Sequence, residues 1–326
     1  MRASAPDPLG PGELGERLVD LPVVVDGHRV EHESVPVPGY YGGQSRPTGV
    51  ISLTGGGHEG RGENVDWTPE EQARFADICD ELVPRVARGA TSVGAISHAL
   101  QESDAHAHHR SAIEAAAIDL ALGQAGTSLF RLSDRPVLPV RFCRSIGREE
   151  VLWAGPHAAI HRVVAEDPAA RIKIDCPPAG WPEAIWKAFA GSGRIVIVDF
   201  KREGMLRQVD LAHRYLPDAW LEDPPREALS QGAGWRGRVA LDGYVSSAAD
   251  LVAPPLSPGA INVKAPRVGG FLEALRCLAR CASEGWEAYI GGMFEVGIGR
   301  EQARDLASLF TAKGWNDLAP LDRMEA

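Results

Sequence analysis

Six ionisable residues recur through the second half of this sequence at the ends of short apolar runs: Lys173, Asp199, Glu222, Asp242, Lys264 and Glu295. Successive members lie 20 to 31 residues apart, about the length of one strand-plus-helix unit. Each closes a run such as RIKID, IVIVDF or AWLEDPP, so each sits where burial ends and a cavity begins. Acids that converge at such a place repel one another unless a cation lies among them. The series contains no Cys or His, and all-oxygen ligands favour a hard ion, Mg2+ first and Mn2+ second, with positions left for water or a substrate carboxylate. A proton next to a carboxylate is too weakly acidic for a lysine to remove unaided, and a divalent ion stabilises the ene-diolate that its removal leaves. A lysine whose pKa is lowered by nearby cations and a partly dry cavity can act as base while a second stays protonated. Lys173 and Lys264 suit that pair.

These residues have a mouth to converge on only if their strands run parallel. From Pro136 the chain alternates short apolar runs with helical stretches: VLPVRFC, RIKID, RIVIVDF, AWLEDPP, RVALDG, INVKAP and EAYIGGMFE, with a last run near WNDLAP. Runs apolar on both faces are what a barrel covered by helices requires. A doubly wound open sheet would carry a glycine-rich phosphate loop after its first strand, and VRFCRSIG has none. The expectation is an α/β protein, a modified (β/α)8 TIM-type barrel with an α+β N-terminal capping domain, whose site lies at the C-terminal ends of the strands. The divisions are a flexible leader over 1–18, the cap over 19–134, the barrel over 135–312 and a last strand with the C-terminal segment over 313–326.

Within the cap, VVVDGHRVEHESVPV reads as two strands around Asp26-Gly27, and Gly39 to Asn64 reads as mobile glycine-rich loops around one short strand, GVISL. TPEEQARFADICDELVPRVA and RSAIEAAAIDLALGQAG read as helices, the first opened by a Thr68/Glu71 capping box.

The formal charge of -10, without a run of Lys and Arg, gives no reason to expect nucleic acid or an anionic membrane as partner. No segment offers an export signal or a membrane span, so a cytoplasmic protein acting on a small carboxylate is expected. The five cysteines lack paired spacing and read as reduced thiols.

The segments IEAAAIDLAL, RIKID, IVD, WLEDPP, ALD, INVKAPRVGGFLEAL and GGMFEVGIGR, in this order, resemble the enolase superfamily, and within it the muconate-lactonizing and o-succinylbenzoate-synthase-type subgroup of the mandelate racemase/muconate lactonizing enzyme family. The likeness runs from about Val23 to the C-terminus. It implies a cap, a modified barrel, Mg2+ held by Asp199, Glu222 and Asp242, and lysines Lys173 and Lys264 facing each other across the substrate. The implied activity is that of an isomerase or lyase of cycloisomerase, dehydratase or epimerase type, in a homo-oligomer.

The sequence departs from the family pattern in three places. The usual K-x-K is RIKID, so either Arg171 replaces the first lysine and Lys173 is catalytic, or Lys173 is the first and Asp175 takes the base position. The first register is favoured, because the step to Asp199 is already short. D-x-N is Asp199-Phe200-Lys201, which brings a cation to the metal, and D-E-S is Asp242-Gly243-Tyr244. A divergent enzyme, an altered metal site and a barrel kept for binding alone all stay open. Glu295 is either a substrate contact or a helix cap. The glycine-rich segment with Tyr40, Tyr41, His58 and Glu63 is expected to close over the barrel and choose the substrate. Arg171, Lys201, Tyr41, His58 and Glu295 are accordingly the candidate substrate contacts. The cluster of Asp104, His106, His108 and His109 suggests a transition metal by type but reads as a solvated loop ahead of a helix. His157 and His161 read as a surface pair.

Overall fold

The computed structural model of the chain describes residues 8–36, 45–231, 234–254 and 258–318. The cap comprises α1 (Pro11–Val19), β1 (Gly27–Pro36), β2 (Ser45–Gly55), β3 (His58–Asn64), α2 (Pro69–Ala87), α3 (Val93–Gln101), α4 (Ala107–Gln124) and α5 (Leu129–Ser133). Its three strands form one antiparallel sheet in the order β1-β2-β3. The Thr68/Glu71 box opens α2 as expected: the Glu71 amide donates to the Thr68 hydroxyl at 3.2 Å and the Thr68 amide to the Glu71 carboxylate at 3.0 Å.

Two cap expectations need correction. Residues 23–26 form no partner strand; β1 pairs with β2 instead, Gly27 opposite Thr54. The glycine-rich stretch from Ser45 onward is a hairpin rather than a mobile loop. Gly60 and Gly62 are there for close approach to α4: a Cβ on Gly60 would lie 2.3 Å from the Ala116 carbonyl oxygen, and one on Gly62 2.0 Å from that of Ala112. Tyr40 and Tyr41 lie outside the described residues.

The barrel follows with β4 (Arg141–Ile146), α6 (Arg148–Ala154), α7 (Pro156–Glu166), β5 (Arg171–Asp175), α8 (Glu183–Ser192), β6 (Ile195–Asp199), α9 (Leu206–Tyr215), β7 (Trp220–Glu222), α10 (Arg226–Gln231), β8 (Val239–Leu241), β9 (Ala260–Val263), α11 (Ala265–Val268), α12 (Phe271–Glu284), β10 (Glu287–Ile290), α13 (Ile298–Phe310) and β11 (Trp315–Asn316). Among the described residues eight strands lie side by side, β10-β9-β8-β7-β6-β5-β4-β11, every pair parallel. The ring closes where the Asp317 amide donates to the Ile290 carbonyl at 2.9 Å and the Gly292 amide to the Asp317 carbonyl at 2.8 Å. Cys143, Ile197, Ala240, Ala260 and Tyr289 plug the interior, so the barrel is a packed core under its mouth.

Residues 11–19 are not a flexible leader. In α1, Leu14 and Leu18 share one face, are fully buried and pack in the common core, where α1 lies along α12. Burial of two leucines, about 1.5–3 kcal/mol each, fixes this helix to the barrel.

Two buried carboxylates join cap to barrel. Glu63, at the end of β3, accepts from the amides of Val296, Gly297 and Gly299 at 2.7, 2.9 and 3.0 Å, which caps the start of α13. Glu114, inside α4, accepts from the Leu272 amide at 3.0 Å in the first turn of α12 and from the Ser97 hydroxyl at 2.5 Å. Glu63 therefore reaches the barrel, as a structural clamp. No helix among the described residues is long and apolar enough to cross a membrane. All five cysteines are buried and unpaired.

Candidate active site

Side chains two apart on a strand share a face, so the inward set follows from the sequence: Lys173 and Asp175 on β5, Ile197 and Asp199 on β6, Trp220 and Glu222 on β7, Asn262 and, just past it, Lys264 on β9. The end of each strand lifts its polar residue above the apolar plug. Asp199, Glu222 and Asp242 bring one carboxylate oxygen each to within 4.8 Å of the others, and all three residues are buried. The donor set fits the hard ion expected from the sequence: oxygen only, converging from three consecutive strands.

Lys173 lies under these acids with its side chain 3% exposed. Its Nζ is 2.7 Å from Asp317 Oδ2 and 3.0 Å from Asp199 Oδ2, and it also donates to Glu222 Oε1. Burial alone would lower its pKa, but Asp199, Asp317 and Glu222 outweigh that and hold the ammonium well above its ordinary range. Burial likewise opposes ionisation of Asp199, Asp242 and Asp317. Lys173 and Lys201 keep Asp199 charged, Lys264 and Arg267 keep Asp242 charged, and Lys173 and Lys264 keep Asp317 charged. Glu222 is different. Burial first, then repulsion by Asp199, Asp242 and Asp317, pushes its carboxyl well above the usual range despite Lys173. Its Oε2 accepts from Tyr289 Oη and from Asn262 Nδ2, the latter at 3.3 Å. Glu222 is thus the acid most in need of another positive charge, which a divalent ion would supply.

Lys264 Nζ stands 3.0 Å from Asp242 Oδ2, and Arg267, one turn further on, binds the other oxygen of the same carboxylate. Lys201 binds Asp199 and lies 3.1 Å from Asp175. The Lys201 and Arg267 side chains are 41% and 25% exposed, so the cationic side of the mouth is the side that solvent reaches.

The structure takes the other of the two registers read from RIKID. Asp175 is paired with Asp199 at the mouth, and Lys173 with Ile197 one inward layer below. The pairing slips between Ile172 and Lys173, which absorbs the short step to β6. Arg171, at the start of β5, lies at the opposite end of the barrel, its guanidinium 5.7 Å from the centre of the Trp315 ring. It is not a substrate contact. His58 is also away from the mouth, exposed beside the turn of the β2–β3 hairpin near Gly123. Glu295 is buried and accepts from the Met293 amide at 2.8 Å, which bends the loop before α13. His157 and His161 are exposed on α7 as expected.

The two departures after β6 and β8 belong to one network. Asp223 accepts from the amides of Asp242 and Gly243 at 2.8 and 2.7 Å, which fixes the backbone from which the Asp242 carboxylate projects. A Cβ on Gly243 would lie 2.9 Å from Asp223 Oδ2 and 3.1 Å from Arg202 Cζ, so a side chain here would have to displace the ends of those two side chains. Arg202 donates to the Gly243 carbonyl at 3.0 Å and stacks 5.7 Å from the centre of the Tyr244 ring. Lys201, Arg202 and Asp223 hold φ of 55°, 65° and 44°. Non-glycine residues in this region cost energy and persist where surrounding contacts enforce them, as they do beside these ligands.

The family described as domain of unknown function DUF8230 matches this chain twice, its N-terminal domain over residues 16–132 and its C-terminal domain over 137–323. The chain belongs to the DUF8230 family. Its architecture is the enolase-superfamily fold read from the sequence. A member of that superfamily from Enterococcus faecalis V583 superposes with a TM-score of 0.72 at 24% identity, over 93% of this chain and 88% of that one. A dipeptide epimerase from Methylococcus capsulatus, solved with a Mg ion, gives a TM-score of 0.71 at 20% identity over 91% and 90%. The o-succinylbenzoate synthase of Enterococcus faecalis is 40% identical over 88 residues, which span 26% of this chain and 24% of that relative. The curated match thus covers about a quarter of the relative's length.

Sequence reasoning missed Asp317, Arg267, Tyr289 and Asn262. Asp317 had a signal, since it follows the short Trp315–Asn316 strand as the other acids follow theirs. Tyr289 and Asn262 follow from inward alternation once the register is known.

Proposed function

We propose that this chain removes the proton α to a carboxylate of a small molecule, as an isomerase or lyase of cycloisomerase, dehydratase or epimerase type. The observation that carries this reading is the convergence of three buried carboxylates from consecutive strand ends, with Lys173 and Lys264 beside them. Mg2+ held by Asp199, Glu222 and Asp242, with Mn2+ able to replace it, would supply Lewis-acid stabilisation of the ene-diolate. Lys264, at the edge of the mouth, is the proton-transferring group. Lys173, kept charged by its carboxylates, stays an ammonium and stabilises negative charge from below. Lys201 and Arg267 present cations to the incoming carboxylate. The Mg complex of the Methylococcus epimerase and the local likeness to o-succinylbenzoate synthase support the same class. Five unpaired thiols fit a cytoplasmic setting, and a homo-oligomer completes the reading.

A second reading, a carboxylate-binding barrel without turnover, is favoured by one feature: the mouth position of β5 holds Asp175 rather than a lysine. Proton exchange in D2O separates the two. Wild type, Lys264→Ala and Asp242→Asn are incubated with Mg2+ and a panel of α-protonated carboxylates, and α-carbon deuteration is followed by NMR. The enzyme reading expects metal-dependent exchange that both variants lose. Ligand binding with no exchange across the panel would move the assignment to the binding barrel.

A further inference from the structure

Three imidazoles and one carboxylate meet where β3 ends and α4 begins, well apart in sequence from the strand-end acids. Asp66 lies two residues past β3, His106 is the residue that caps α4, and His108 and His109 fill its first turn. His108 Nδ1 is 3.2 Å from Asp66 Oδ1 and His109 Nε2 is 2.6 Å from Asp66 Oδ2, so one carboxylate spans two rings. The His106 ring stands edge-on to both, its centre 4.4 Å from that of His108 and 5.8 Å from that of His109. One ligand atom from each of Asp66, His106 and His108 lies within 4.8 Å of the others. This overturns the expectation of a solvated loop: His108 is buried, and Asp66, 40 residues earlier than His106, takes the acidic role that the sequence offered to Asp104.

The chemistry of this set differs from that of the barrel. Asp66 and His108 are buried while His106 is exposed, which gives the cluster a dry floor and an open side. Asn64 Nδ2 donates to Asp66 Oδ2 at 3.0 Å and the His108 amide to His106 Nδ1 at 3.4 Å, so carboxylate and exposed ring are both oriented from behind. One carboxylate satisfies two imidazoles and leaves a third beside them. Two imidazole nitrogens and one carboxylate oxygen, with a third imidazole on the same carboxylate, are a donor set for a borderline divalent ion and not for Mg2+. The five cysteines are buried elsewhere and bring no thiolate to the cluster.

We propose that Asp66, His106 and His108, with His109 on the same carboxylate, form a zinc site that ties the end of β3 to the first turn of α4. The site has a structural consequence close at hand. Trp67, next to Asp66, packs edge-on against Phe294 of the barrel at 5.2 Å between ring centres, and Glu63 of the same strand end caps α13. Zinc here stiffens the edge of the cap that rests on the loop after β10.

The test uses the full chain, stripped with EDTA and dialysed against ZnCl2 in a large excess of MgCl2. Wild type is compared with His106→Asn, which keeps a good helix-capping residue but withdraws the imidazole, and with Asp242→Asn in the barrel. The proposal expects one zinc per chain in wild type and in Asp242→Asn, and at least roughly 100-fold weaker binding in His106→Asn. X-ray absorption of the zinc-loaded protein is expected to show the outer-shell scattering of two or three imidazoles. Circular dichroism of His106→Asn in EDTA checks that its fold matches wild type. No zinc uptake, uptake unchanged in His106→Asn, uptake lost in Asp242→Asn, or an oxygen shell without imidazole scattering would each overturn the proposal.

Discussion

The barrel mouth and the histidine cluster of the cap hold carboxylates in opposite electrostatic situations. At the mouth, Asp175, Asp199, Glu222, Asp242 and Asp317 crowd around Lys173, Lys201, Lys264 and Arg267, and Glu222 is left with its carboxyl pushed up. In the cap, the Asp66 carboxylate meets the imidazoles of His106, His108 and His109 and is pulled down. An excess of buried oxygen draws a hard cation, whereas imidazole nitrogens beside one carboxylate draw a borderline one. The two sites also differ in support: the first rests on strand ends of a closed barrel, the second on a strand end and a helix start that only tertiary packing brings together.

The largest effect expected falls on the mouth. Glu222→Gln removes the central ligand and should lower α-proton exchange by about 10^3-fold, with Mn2+ affinity measured by electron paramagnetic resonance falling in parallel. Exchange that survives this change would break the assignment of the metal to these acids. Lys173→Ala sharpens the comparison next, because it leaves three carboxylates buried without their shared cation. The metal-free variant should lose about 3–5 kcal/mol in urea unfolding, and added Mg2+ should recover part of the loss.

Much of this contrast was legible in the sequence, for reasons that particular residues make plain. Asp199, Glu222, Asp242 and Lys264 each end an apolar run, and a parallel barrel leaves one place for such residues to go. Depth was not legible, since Lys173 and Asp175 both point inward and only the slip after Ile172 decides which reaches the mouth. Arg171 followed the same alternation to the wrong end. Asp66 and the histidines lie about 40 residues apart, and no local pattern announces a contact of that range. Gly60 and Gly62 read as loop residues because nothing in the sequence shows that α4 lies against them. The departures at Lys201 and Gly243 looked like losses, yet with Arg202 and Asp223 they form one compensated network.

A smaller effect is expected from Glu63→Ala, which leaves three amides at the start of α13 without their acceptor. It should cost about 1–3 kcal/mol by denaturant titration and leave zinc uptake unchanged. The acid limb of stability in metal-free protein gives the finest distinction. Asp66 has a folded pKa below its unfolded value of about 3.9, so its contribution is fully present above about pH 4 and drains away as pH falls, by up to about 1.4 kcal/mol per unit. Asp66→Asn should flatten the stability profile below pH 4.

The most direct measurement is a crystal of the full chain loaded with Mn2+ and Zn2+ together, with anomalous difference maps at both absorption edges. The account predicts manganese among Asp199, Glu222 and Asp242 and zinc among Asp66, His106, His108 and His109. Both metals in one site, or a barrel mouth that takes neither, would contradict it.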